Sequence, residues 1–177
     1  MKTAAIVMAG VLALWAATPA MAEPPVAAPI SEHAMMLESK DPQLAANKKL
    51  VYDMYRIVLQ GGHWERAGEF IRDDYIQHNP NVVNGLKALQ EYIKNSRPAI
   101  PVEDVLHLPL ISIIAERDRV VLNFLKPEKD DQGNPYVTTW YDMFRIQDGK
   151  IAEHWDPALK SAAMLKFNPN STRQDTK

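Results

Sequence analysis

Apolar residues recur at helical spacing from residue 41 to about residue 97 and at strand spacing after about residue 102. Asp41-Pro42 predicts a helix start, because an Asp side chain can cap the first free N–H groups and Pro in the first turn has none to leave unpaired. Leu44, Val51, Tyr55 and Val58 then fall on one face, and Gly61-Gly62 ends the run. Trp64, Ala67, Phe70 and Ile71 predict a short second helix. The segment "DDYIQHNPNVVNG", Asp73 to Gly85, holds too many turn formers to be regular throughout, with room for a brief extended piece at Tyr75 to His78. Leu86, Leu89 and Ile93 mark the buried stripe of a third helix that ends near Arg97-Pro98.

Beyond that point the period is that of strands. Val102 to Ala115, Arg119 to Leu125, Tyr136 to Ile146 and Lys150 to Asp156 are rich in β-branched and aromatic residues and are separated by turns. Asp148-Gly149 sits at the centre of the last turn, a hairpin signature. Helices followed by a run of antiparallel strands make an α+β order, with the helices on one face of a curved sheet. "LHLPLISII", Leu106 to Ile114, is apolar at both alternating sets of positions, which predicts a strand covered on both sides. Helices cover one side, so a second subunit is expected over the other and the protein is read as a homodimer.

Composition changes the picture mainly at the start of the chain. Lys2, the uncharged apolar run Ala4 to Ala17 and the small-x-small triplet Ala20-Met21-Ala22 form a secretory signal peptide over residues 1–22. A flexible Pro- and Ala-rich leader is expected over 23–40, one domain over 41–160 and a tail over 161–177. An exported protein cleaved after Ala22 belongs in the bacterial periplasm or exterior, and nothing further down the chain predicts membrane attachment. The net charge of −2, more negative by one once Lys2 is removed, comes without a basic block and argues against nucleic acid as a partner. The absence of cysteine excludes disulfides, thiolate nucleophiles and Cys zinc sites.

The candidate chemistry gathers in the last two strands. Alternation places His154 and Asp156 on one face of the closing strand, and Glu153 and Trp155 on the other. In the strand before it, Trp140, Asp142 and Phe144 share a face, and Arg145 on the opposite face is the charge that reaches solvent. Asp142 is thereby turned inward among aromatics, where a carboxylate must be paired or hydrogen-bonded. Two inward carboxylates on neighbouring strands suit acid/base work, since burial and mutual repulsion both favour the protonated form. His78 is expected at the mouth of the resulting pocket, Asn123 as a donor to a carbonyl or enolate oxygen, and Tyr55 on the pocket wall. Structural readings compete: Asp142 locking the sheet, His78 stabilising a turn, His154 a satisfied core histidine, and Asp156 ending its strand. No HExxH or Cys/His spacing occurs, so no metal is expected, and no G-x-S-x-G, phosphate-loop or dinucleotide pattern is present.

The order of elements, with "EFIRDDYIQHNPNVVNG" after an opening helix and "YDMFRIQDGKIAEHWD" at the close, resembles the SnoaL-like branch of the nuclear transport factor 2-like superfamily over about Asn47 to Asp156. The resemblance implies a cone-shaped fold in which a strongly bent sheet wraps a long helix and leaves an apolar pocket open at one end. It also implies proton transfer on a carbonyl compound without a cofactor, of aldol, isomerase or dehydratase type, with Asp156 at the acid/base position of the polyketide cyclases. Asn123 stands in the neighbourhood where such relatives carry a further histidine, and Asn cannot shuttle a proton. The ligand expected is a small apolar or carbonyl-containing molecule. The alternative reading is a non-catalytic ligand-binding or dimerisation module of the same fold.

Overall fold

The structure is a computed structural model and describes residues 26–161. The signal peptide expected over residues 1–22 and all but the first residue of the tail expected over 161–177 lie outside the described residues. In chain order the helices are α1 (His33–Leu37), α2 (Pro42–Met54), α3 (Ala67–Phe70) and α4 (Leu86–Ser96). The strands are β1 (Ile71–Gln77), β2 (Leu110–Glu116), β3 (Arg119–Lys129), β4 (Pro135–Gln147) and β5 (Lys150–Trp155). They form one sheet of order β1-β5-β4-β3-β2, antiparallel except where β1 runs parallel to β5. This is the α+β architecture that the switch from helical to strand period predicts.

Asp41 caps α2 as expected, its Oδ1 accepting the N–H groups of Gln43 at 2.8 Å and Leu44 at 3.4 Å. The helix continues through Tyr55–Gln60 in a wider, π-helical winding and stops at Gly61. Gly62 follows with φ +72°, and a Cβ there would lie 2.5 Å from the Pro98 carbonyl oxygen, so the close approach requires glycine. At the β4–β5 turn Asp148 and Gly149 both have positive φ, +53° and +73°, the twist a two-residue hairpin needs.

Strand alternation sends Val120, Leu122, Phe144 and Ile151 into a core shared with Val51, Val58, Leu89 and Ile93 from the helices. Register shifts between Ile71 and Ile76, Leu110 and Ser112, and Arg145 and Ile146 bend three of the strands around that core. The sheet is therefore curved, with the long helix in its hollow.

Three expectations change. The strand predicted from Val102 begins only at Leu110; Leu106, 2% exposed, lies on the preceding loop, where its N–H donates to the Tyr52 hydroxyl at 2.9 Å. The irregular pairing after Leu110 lets Leu110 and Ile113 both face the core, while Ile114 is 58% exposed. The run is thus not one strand buried on both faces, so it does not call for a second subunit over its outer face. Second, Ile71 opens β1 rather than closing a helix, and the extended piece runs over seven residues rather than four.

The third change is in the leader, which docks on the body. Ala28 N–H donates to the Leu110 carbonyl at 2.7 Å, and Lys48 Nζ holds the carbonyls of Met36 and Glu38 at 2.9 and 2.8 Å. His33 is 3% exposed, with its ring edge-on to Tyr52. The Tyr52 oxygen accepts from Leu106, and its own hydrogen finds no acceptor among the described residues other than His33 Nδ1, so the O–H donates to Nδ1 at 3.1 Å. The ring proton is then on Nε2, a buried atom that finds no partner among the described residues. Burial holds the His33 pKa below its ordinary 6.5.

The docked arm therefore holds a neutral ring that takes up a proton more readily once undocked. Its contribution to stability is complete above about pH 6.5 and declines as pH falls below that value. Thermal denaturation at pH 7.5 and 5.5 should show a larger loss for the wild type than for His33→Asn, whose Oδ1 can still accept the Tyr52 hydroxyl. Equal losses in the two proteins would remove His33 as the cause.

Candidate active site

A cavity of about 530 Å³ lies between the sheet, the π-helical end of the long helix and α4. Met54, Leu59, Leu89, Leu106, Phe124 and Phe144 supply apolar wall, while Tyr55, Tyr75, Gln77, Asn79, Asp142, His154 and Asp156 supply polar groups. The polar residues come from four places in the chain and are joined by one hydrogen-bond network.

Asp142 is its hub. Pairing Leu122 with Asp142 and Phe124 with Trp140 turns Asp142 toward the helices. Its Oδ1 accepts the Trp140 indole N–H at 3.0 Å and meets His154 Nε2 at 3.1 Å, and its Oδ2 accepts the Tyr55 hydroxyl. The Asp142 side chain is 8% exposed and that of His154 11%. A carboxylate so far from water is tolerable only with donors of this kind around it.

The protons in this network can be placed by following groups that can only donate. The backbone N–H of Asn79 donates to Gln77 Oε1 at 3.0 Å, which fixes the orientation of the carboxamide. His154 Nδ1, 2.9 Å from the same oxygen, must therefore carry a hydrogen. At its other end Nε2 faces Asp142 Oδ1, and a bond there needs a second proton between them. The ring also stacks on Phe144, with centroids 4.7 Å apart. His154 and Asp142 thus act as a proton-sharing pair with a fixed ring orientation.

Asp156 follows immediately after β5 and has two constraints. Its Oδ1 accepts the Ala158 N–H at 3.0 Å in a local turn, and its Oδ2 accepts Asn79 Nδ2 at 2.6 Å. Asn79 is itself oriented, since its Oδ1 accepts the Asn81 N–H at 2.8 Å. Asp156 Oδ2 lies 4.0 Å from His154 Nε2, and the side chain is 6% exposed. It both ends the strand and lines the cavity, so the structural and chemical readings of this residue hold together.

Two tyrosines complete the wall. Burial, then the nearby Asp142 carboxylate, pushes the Tyr55 pKa well above its ordinary value. Burial, then Asp142 and Asp156, does the same for Tyr75. Both are neutral phenols at any working pH.

Trp140, Asp142, His154, Asp156 and Tyr55 therefore meet in one cavity, as alternation and the helical stripe place them. His78 does not join them. Its Nε2 bonds Glu153 Oε2 at 3.0 Å, and its ring stacks on Trp155 with centroids 4.4 Å apart. Those partners are on the opposite face of β5, so His78 lies on the outer face and not at the mouth of the pocket, where it was expected to orient or protonate a substrate. Glu153 is held there against the cost of burial by bonds from His78 and Arg145, which together keep its carboxyl below the usual range. Asn123 is likewise outside the cavity, pairing with Tyr141 across β4 and accepting the Ser112 hydroxyl at 2.6 Å. Even-numbered residues of β3 face the helices, and Asn123 has the wrong parity.

Sequence reasoning missed Tyr75, Gln77 and Asn79. The signal was alternation through Tyr75-Ile76-Gln77-His78-Asn79, with Gln77 opposite His154 in the parallel pair. A buried Tyr75 puts 77 and 79 inside and 78 outside.

One oxygen or nitrogen each from Asp142, His154 and Asp156 lies within 4.8 Å of the others, so these three could ligate a cation. Asp142 would do so with oxygens that already accept Tyr55 and Trp140, and a shared proton accounts for the His154–Asp142 contact. Removing the hub tests the network. Asp142→Ala strands the Tyr55 and Trp140 donors and the His154 proton and should cost roughly 3–5 kcal/mol of folding stability, whereas Asp142→Asn, which keeps an acceptor, should cost about 1–3 kcal/mol. Urea denaturation of the two variants reads the difference, and losses below about 1 kcal/mol for both would reduce the network to proximity.

The family model for the SnoaL-like polyketide cyclases matches residues 49–165. None of the curated proteins matches the chain. Among solved structures, TsrD from Streptomyces laurentii is 21% identical with a TM-score of 0.47, over 63% of this chain and 87% of its own. A candidate SnoaL-like polyketide cyclase from Jannaschia sp. CCS1 is 14% identical with a TM-score of 0.47, over 68% and 91%. An LEH-like epoxide hydrolase from M. tuberculosis is 14% identical with a TM-score of 0.46, over 63% and 80%. With its match to the family model spanning more than half its length, the chain belongs to the SnoaL-like polyketide cyclase family, as an α+β pocket protein.

Proposed function

We propose that the protein is a cofactor-independent acid/base enzyme acting on a small carbonyl compound, with Asp156 as the group that moves the proton. The observation that carries this reading is the aim of one carboxylate: Asn79 and Ala158 pin Asp156 within an otherwise largely apolar cavity, 4.0 Å from the proton-sharing His154–Asp142 pair. A carboxylate with few waters around it is a stronger base toward carbon than one in bulk solvent. Its Oδ2 would take a hydrogen from the carbon next to the carbonyl, leaving an enolate. In an aldol step the enolate carbon bonds to a second carbonyl carbon and the new alkoxide recovers the proton from Asp156. In an isomerisation the same proton returns to a different carbon. The proton that His154, fixed by Gln77, shares with Asp142 offsets the charge of that aspartate beside Asp156. Export after cleavage of residues 1–22 is part of this reading and rests on the sequence of that segment.

Proton transfer can be read before the natural substrate is known, as exchange of hydrogens next to a carbonyl for deuterium in D2O, followed by NMR over a panel of ketones. The wild type should exchange at least one ketone faster than buffer does. Asp156→Asn should lose about 100-fold or more of that rate while it still folds, its melting temperature lowered only by the loss of the one bond from Asn79. A wild type that binds ketones without exchanging them would instead identify a non-catalytic binding protein.

A further inference from the structure

We propose that the Tyr75 hydroxyl is the hydrogen-bond donor that receives the carbonyl oxygen of the bound ligand and stabilises it as negative charge develops there. The proposal deepens the reading of the cavity as a carbonyl site, and it does not require Asp156 to be the base.

Asn79 N–H can only donate, so Gln77 Oε1 faces it and Gln77 Nε2 faces Tyr75. Nε2 therefore donates to the Tyr75 oxygen, at 3.1 Å. This bond uses a lone pair of the phenol and leaves its own hydrogen unassigned. Among the described residues that hydrogen has no acceptor, although Tyr75 is 3% exposed and lines the cavity. Buried donors are nearly always satisfied. The neighbouring Asp142 is filled by Tyr55, Trp140 and His154, and Asp156 by Asn79 and Ala158.

The Tyr75 hydroxyl is thus a donor left over on the cavity wall, and the partner it fits is an oxygen acceptor entering the cavity. Donation from Gln77 also polarises the phenol and makes it a better donor. An oxygen that gains charge in the reaction gains most from a donor already in place. The same Gln77 amide holds His154 through its oxygen and Tyr75 through its nitrogen, so the groups flanking the ligand are set by one side chain.

The test uses a matched pair of probes, 2-acetylnaphthalene and 2-ethylnaphthalene, which are close in shape and differ in the carbonyl oxygen. Tyr75→Phe should weaken binding of the ketone about tenfold and leave the hydrocarbon within about twofold. The infrared carbonyl stretch of the bound ketone should lie lower in the wild type than in Tyr75→Phe, a signature that a packing role does not produce. Asp156→Asn should keep both the affinity difference and the low stretch, so that failure of the base assignment is read separately. If Tyr75→Phe does not fold, replacement of Tyr75 by 3-fluorotyrosine, a more acidic phenol, should lower the stretch further. Equal ketone affinity and an unmoved stretch, as when a water takes the hydroxyl instead, would overturn the proposal, as would a ketone that does not bind.

Discussion

The buried carboxylate of Asp142 is the constraint on which the site depends. It draws donors from the long helix through Tyr55, from its own strand through Trp140 and from the next strand through His154. Hydrophobic burial brings helix and sheet together but does not fix their relative position to better than a side chain's width, because apolar contact is non-directional. Hydrogen bonds to a desolvated charge are directional and costly to break. The position of Tyr55 also fits the winding of its helix: the π-helical stretch begins at Tyr55 itself, where the chain departs from α geometry.

Around that hub the sheet works as a two-sided device. Inward residues of β1 and β5 build much of the polar wall, while on the outer face Glu153 and Trp155 of β5, Arg145 of β4 and His78 just after β1 build a clamp. The loop after β1 supplies the remaining restraints: Asn84 accepts the Gln77 N–H at 2.8 Å, and Asn81 bonds the Leu159 carbonyl and the Ser161 N–H. The asparagines of "HNPNVVN" thus fasten the chain ends that carry Gln77, Asn79 and Asp156. A stretch rich in turn formers is here a set of side-chain-to-backbone bonds.

Most of the architecture was legible because it follows from period and punctuation: Asp41-Pro42, Gly61-Gly62, Asp148-Gly149 and the switch from helical to alternating apolar positions. Asp142, His154, Trp140 and Asp156 were legible for the same reason, since the irregularity in β5 falls before Glu153 and parity fixes the side of each residue within its own stretch. The site was illegible where parity was not followed through. His78 and Asn123 stand out as chemistry yet sit at outward positions, and Gln77 and Asn79 look bland yet sit inside. The start of β2 was hidden because an apolar loop around Leu106 reads like a strand; its burial depends on Tyr52, 54 positions away. The docked leader was hidden for a similar reason, as the partners of His33 and Ala28 are Tyr52 and Leu110.

The parallel pairing of β1 with β5 puts Gln77 beside His154 and, one residue on, joins His78 N–H to the His154 carbonyl at 2.9 Å. Inner and outer side chains therefore hang from the same few peptide groups. Amino-acid drift on the exterior of this corner reaches the interior: a change at Glu153 or Trp155 acts on the backbone that aims the imidazole, so variants selected for altered reactivity can be sought on a surface that never meets the ligand.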